Sequence, residues 1–217
     1  MAMKKKYLII IFFFLIAVFF SGCLKKENNQ EKYMSFEEKL EIKKIVLVLA
    51  HQGFQDFEYQ ETRKVLEEAG MEIIIVSSLM GKAKGKLGLE VAVEKLISEI
   101  NVSEIDALIF IGGPGAVEYL EDSSVYQLIQ KTINEDKVLG AICIAPAILA
   151  KSGVLKGKNA TIWSSSIDQE PIEILKENQV EYLNQNVVVD GKIITANGPL
   201  ASLEFGQKIV QILIGLE

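Results

Sequence analysis

The chain has 217 residues, 49% of them apolar and 24% charged, a balance that suits one packed domain and excludes a disordered or fibrous chain. Its net charge of −6 excludes a nucleic-acid-binding face, because phosphate binders carry a basic surface that releases counterions on contact.

The first segment reads as an export signal: Lys4, Lys5 and Lys6 precede an apolar run from Tyr7 to Phe20, and Ser21 and Gly22 lead to Cys23. Phe20-Ser21-Gly22-Cys23 resembles a bacterial lipobox, with Phe20 in place of the usual Leu. Lipidation at Cys23 would anchor the mature chain to the outer face of the cytoplasmic membrane. The alternative is an uncleaved anchor, since Tyr7 to Leu24 is just long enough to span a bilayer when tilted. Residues 24–42 are rich in Lys, Glu, Asn and Gln and read as a polar tether, partly helical around Phe36 to Leu40, before a domain at 43–217. The chain has two cysteines. If Cys23 carries lipid, Cys143 is left without a disulfide partner.

Within the domain, Ile45 to Ala50 is a continuous aliphatic run, the pattern of a strand buried on both faces of a parallel sheet. A helix is expected from Asp56, as N-cap, to Glu68, with Gly70 as its stop. A strand follows at Glu72 to Ser77, then a Gly- and Lys-rich turn at Gly81 to Gly88 and an extended piece at Leu89 to Val93. A buried strand at Ala107 to Ile111 ends in Gly112 and Gly113, and a helix at Ser124 to Glu135 leads to a strand at Val138 to Ile142. Beyond Cys143 come a helix at Ala145 to Ser152, a strand at Ala160 to Trp163 and a helix from Pro171 to Asn178. A hairpin, Val187 to Ala196, turns at Asp190-Gly191, and an amphipathic helix from Leu200 to Leu213 closes the chain. Alternating strands and helices predict a doubly wound, mainly parallel α/β sheet of flavodoxin-like type.

Ligands of such sheets bind beyond the carboxyl ends of the strands, which gathers the loops after Ala50, Ile111 and Ile142 into one crevice. Ala141-Ile142-Cys143-Ile144-Ala145 has the small-x-nucleophile-x-small spacing of a nucleophile elbow, with Pro146 placed to open the next helix. At a helix N-terminus a thiol pKa falls to about 4–7, which predicts a standing thiolate at Cys143. The competing reading is a buried structural cysteine.

The chain resembles the ThiJ/PfpI superfamily, which includes archaeal intracellular proteases and the parkinsonism-associated deglycase. The resemblance rests on Phe54-Gln55-Asp56-Phe57-Glu58, Ile111-Gly112-Gly113-Pro114-Gly115 and Ala141-Ile142-Cys143-Ile144-Ala145-Pro146. It continues through Ser152-Gly153-Val154-Leu155-Lys156-Gly157, Val187-Val188-Val189-Asp190-Gly191 and Asn197-Gly198-Pro199. The resemblance implies that Cys143 is the nucleophile and Glu58 the carboxyl that hydrogen-bonds its sulfur, without a metal or cofactor. A carboxyl facing sulfur in a dry crevice is expected to keep its proton. Gly112, Gly113 and the backbone N–H of Ile144 would form the oxyanion hole. Outside that family setting, Glu58 reads as a first-turn glutamate favoured by the helix dipole, and the glycines as a tight turn.

Family members with peptidase or glyoxalase-type chemistry commonly carry a histidine directly after the nucleophile, where this chain has Ile144. Others supply one before the final hairpin, where Gln179, Val180 and Glu181 stand, and Asn197 replaces an arginine of some relatives. His51, the only histidine, ends the first strand and is the remaining accessory candidate. The resemblance thus implies a cysteine enzyme acting on small reactive carbonyls or on the protein adducts they form, working as a homodimer or larger homo-oligomer. The alternative is a redox sensor that stores oxidised Cys143 beside Glu58. A peptidase ranks third, because Ile144 removes its base.

Overall fold

The run from Ile45 becomes the centre of the sheet because every residue in it is apolar and can therefore be buried on either face. The computed structural model describes residues 42–216; the signal segment, Cys23 and the tether up to residue 41 lie outside the described residues. Strand β1 (Lys44–Val48) pairs in parallel with β3 (Glu72–Ser77) on one side and β7 (Ala107–Phe110) on the other. Beyond β7 come β8 (Val138–Ile142), β12 (Ile193–Ala196) and the antiparallel edge β11 (Val187–Asp190). With β6 (Lys95–Leu96) beside β3, the seven-stranded order is β11-β12-β8-β7-β1-β3-β6. The doubly wound, flavodoxin-like reading is the architecture found.

Side chains alternate across the strands, so each continuous apolar run supplies two cores. Val46, Val48, Leu108, Phe110 and Leu139 face the layer of α2 (Ser123–Asn134), α3 (Pro146–Lys151) and α4 (Glu170–Glu177). Ile45, Leu47, Ile109 and Ile142 face the layer of α1 (Asp56–Glu68) and α5 (Ser202–Leu213). Gly140 in β8 makes room on that second face: a Cβ there would lie 2.7 Å from Ile109 Cδ1 and 3.1 Å from Phe205 Cζ of α5.

Four local expectations are corrected. Gln55, not Asp56, caps α1, its side chain accepting from Phe57 N at 3.3 Å. Asp56 is turned away and accepts from Leu87 N and Leu89 N, both at 2.9 Å, which pins the following loop against the start of the helix. The segment read as a turn from Gly81 to Gly88 contains a strand, β4 (Gly81–Gly85), sandwiched between β2 (Gln52–Phe54) and β5 (Glu90–Val93) in a small separate sheet. The strand expected at Ala160 to Trp163 is only β9 (Asn159–Ala160), paired with β10 (Glu181–Tyr182); beyond it the backbone bonds sideways, Thr161 N to Thr195 Oγ1 and Trp163 N to Cys143 O. In the hairpin Asp190 pairs with Ile193, which moves the two-residue turn one position on, to Gly191-Lys192.

Among the described residues no helix is long and apolar enough to cross a membrane.

Candidate active site

Strands β1, β7 and β8 are neighbours, so the segments leaving their carboxyl ends meet, as the crevice rule requires. Each brings one part. After β1 and the short β2, the first turn of α1 carries Glu58, which is fully buried. After β7 come Gly112 and Gly113, and after β8 comes Cys143.

Cys143 has φ 64°, a left-handed conformation that costs a non-glycine residue roughly 1–2 kcal/mol. Two backbone bonds hold it there: Cys143 N donates to Ala196 O and Trp163 N donates to Cys143 O, both at 2.9 Å. The elbow is therefore clamped between β12 and the segment after β9. Pro146 opens α3, as its position suggested.

Gly112 is a point of close approach between these segments. A Cβ on it would fall 2.5 Å from Cys143 Cβ and 2.8 Å from Glu58 Oε2, so only glycine lets the nucleophile loop and the carboxyl approach one another. Its N–H donates to Glu58 Oε2 at 3.1 Å. The main-chain donors that face the sulfur are those of Gly113 and Ile144. Glu58 Oε1 is buried with no hydrogen-bond partner, and the group beside the carboxyl is the Cys143 thiol.

Burial raises Glu58 to about 8, against the smaller opposing pull of the Cys143 hydrogen bond, the Gly112 N–H and the Lys86 charge. The same burial, followed by the negative charge of Glu58, pushes the Cys143 thiol up to about 12, although the Gly113 and Ile144 N–H groups act the other way. The thiol lowered to about 4–7 that the elbow motif predicted is thus not found. The six-residue α3 starts three positions after the sulfur-bearing residue, and desolvation outweighs what so short a dipole supplies.

Cys143 forms part of the lining of a cavity of about 510 Å³ that also includes Ile144, Trp163, Val117, Leu120 and Ile174. Lys86, Asp168 and Glu170 supply its charged groups. His51 is not part of this lining. Its N–H donates to Glu118 Oε1 at 3.3 Å, its carbonyl accepts from Lys84 N, and its buried Nδ1 has no partner. Among the described residues no group of three or more His, Cys, Asp or Glu side chains is placed to hold a metal ion. Sequence reasoning missed Trp163 and Lys86 as site residues. Trp163 is the chain's single tryptophan and looked like the end of a strand, while Lys86 sat in what looked like a solvated turn.

Comparison with known proteins agrees with this fold. An uncharacterized protein of Methanocaldococcus jannaschii is 35% identical over 187 residues, 86% of this chain and 88% of the relative. A deglycase of Pyrococcus furiosus is 30% identical over 168 residues, 77% of this chain and 98% of the relative, and a glutathione-independent glyoxalase of Caenorhabditis elegans is 26% identical over 175 residues, 81% and 91% of the two chains. The crystal structure of a ThiJ/PfpI domain protein from Brachyspira murdochii superposes with a TM-score of 0.76 at 32% identity, covering 81% of this chain and 99% of that one. The sequence profile of the DJ-1/PfpI family matches residues 43–212, the span that folds into the sheet and carries the Cys143 and Glu58 pair: the chain belongs to the DJ-1/PfpI family.

Proposed function

We propose that the domain is a cysteine-dependent enzyme of glyoxalase or deglycase type, acting on reactive 2-oxoaldehydes or on the adducts they leave on proteins. The observation that carries this reading is the pairing of a half-buried thiol with a fully buried carboxyl raised to about 8. Such a pair titrates as a unit. Below about pH 8 it holds two protons; above that it holds one, shared between sulfur and carboxylate. In the one-proton state Glu58 takes the proton of Cys143 as sulfur attacks the aldehyde carbon, and then returns it to the aldehyde oxygen, giving a hemithioacetal. The carboxylate next removes the hydrogen on that carbon and delivers it to the adjacent former ketone carbon, while the proton of the new hydroxyl passes to the former ketone oxygen, leaving a thioester. Water releases a 2-hydroxy acid and restores the thiol. The aldehyde carbon is oxidised and its neighbour reduced, so no external oxidant enters. The Gly113 and Ile144 N–H groups, which face the sulfur, would donate to the oxygen of the carbonyl it attacks.

The mechanism needs no histidine, which suits Ile144 at that position. A redox sensor ranks behind it, because selective oxidation favours a standing thiolate and burial raises this thiol. A peptidase ranks third for lack of a base at the leaving amine. The test is turnover of methylglyoxal by the full-length chain: Cys143→Ala should abolish it, and Glu58→Gln should lower kcat/KM by about 100-fold or more. Equal turnover by wild type and Cys143→Ala would refute the assignment.

A further inference from the structure

The cavity above Cys143 is far larger and more apolar than a small aldehyde requires. Its volume of about 510 Å³ lies within the roughly 300–1,000 Å³ of sites that enclose drug-sized ligands. Val117, Leu120, Ile144, Trp163, Pro171 and Ile174 form much of its apolar wall. The charged groups are one Lys and two acidic residues, Lys86, Asp168 and Glu170, of opposite sign, so charge alone selects neither an anion nor a cation strongly. Val117 is 53% exposed although it lines the cavity, and Ile167 and Leu200, next in sequence to the lining residues Asp168 and Pro199, are 96% and 102% exposed. Ile144 completes the wall next to the sulfur, where a histidine would have made it polar.

We infer that this site selects 2-oxoaldehydes whose ketone carbon bears an aryl or branched alkyl body, in preference to methylglyoxal. The inference rests on the proposed function and refines its substrate. Once sulfur has joined the aldehyde carbon, the rest of the substrate must lie in the cavity that Cys143 lines, since Glu58 is fully buried and outside that lining. A methyl group leaves most of that apolar wall facing water; a phenyl ring covers it. Removing such a surface from water is worth about tenfold or more in kcat/KM.

The experiment compares phenylglyoxal with methylglyoxal on the full-length chain, each rate divided by that of the same aldehyde with a free small-molecule thiol to remove intrinsic reactivity. The expected result is a corrected kcat/KM about tenfold higher for phenylglyoxal. Val117→Thr, which makes the wall polar at nearly constant volume, and Ile174→Thr, which also removes a methyl group, should each cut that preference several-fold. Val117 is half exposed, so its variant also guards against a failure to fold. Turnover that depends on Cys143 but shows no preference, or a preference unmoved by both variants, overturns the inference alone. Turnover of neither aldehyde, or turnover equal in Cys143→Ala, overturns the proposed reaction and the inference with it.

Discussion

Glu58 and Cys143 illustrate how one environment sets two groups against their usual chemistry. Both rise because burial penalises their charged forms, and the rise places the first ionisation of the pair at about 8. The sign of the pH dependence follows. At pH 6 the pair is fully protonated, sulfur has no base to attack with, and kcat/KM is low; raising the pH through 8 removes one proton and turns the reaction on. We therefore expect kcat/KM for a 2-oxoaldehyde to climb about tenfold per pH unit between pH 6 and 7 and to level off above about 8. A rate already flat at pH 6 would mean a standing thiolate and would contradict this pairing. The residual turnover of Glu58→Gln should lack the step near 8.

At the scale of elements, the site depends on strands that approach too closely for side chains. Gly140 in β8 lies directly under Phe205 of α5, three positions before the nucleophile. Gly140→Ala puts a methyl into a filled space and should destabilise the domain by about 1–3 kcal/mol, read as a lowered midpoint in urea unfolding. The α2 and α4 layer lies on the other face of the sheet, so the loss should appear in the sheet and α5 together. The small β2-β4-β5 sheet shows why some elements escaped the sequence reading. Gly81-Lys82-Ala83-Lys84-Gly85 has the alternation of a strand, with Ala83 buried between exposed lysines, yet its one inward side chain is a methyl and its glycines signal a turn. What makes it a strand is Asp56, whose carboxylate holds the loop beyond it, and β2, which no local pattern announces. Asp56 was visible in sequence only as a capping residue because its partners lie some thirty positions away.

For the whole molecule, we propose that the N-terminal sequence rather than the fold places the domain. Our proposal that Cys23 carries lipid predicts that the full chain, made in a bacterium fed an alkyne analogue of palmitate, becomes labelled and that Cys23→Ala does not. Label in both, or in neither, would reject the lipobox in favour of an uncleaved anchor or no anchor. An outward-facing domain would meet reactive carbonyls beyond the membrane.

The amino-acid sequence by itself determined the strands β1, β7 and β8, because such short apolar runs are buried most readily on both faces of a parallel sheet. It also determined that Cys143, Glu58 and the Gly112-Gly113 turn share one edge of the sheet, since the carboxyl ends of those strands are where their loops must emerge. It could not determine the state of the thiol. The elbow motif reports a helix N-terminus nearby, but desolvation depends on what packs around the sulfur from distant parts of the chain: Glu58 of α1, the glycine loop and the cavity wall from Val117 to Ile174. The division of the glycine donors, Gly112 to the carboxyl and Gly113 to the sulfur, likewise belongs to the tertiary structure, because adjacent N–H groups in a turn point in different directions and only the folded site decides which atom each one meets.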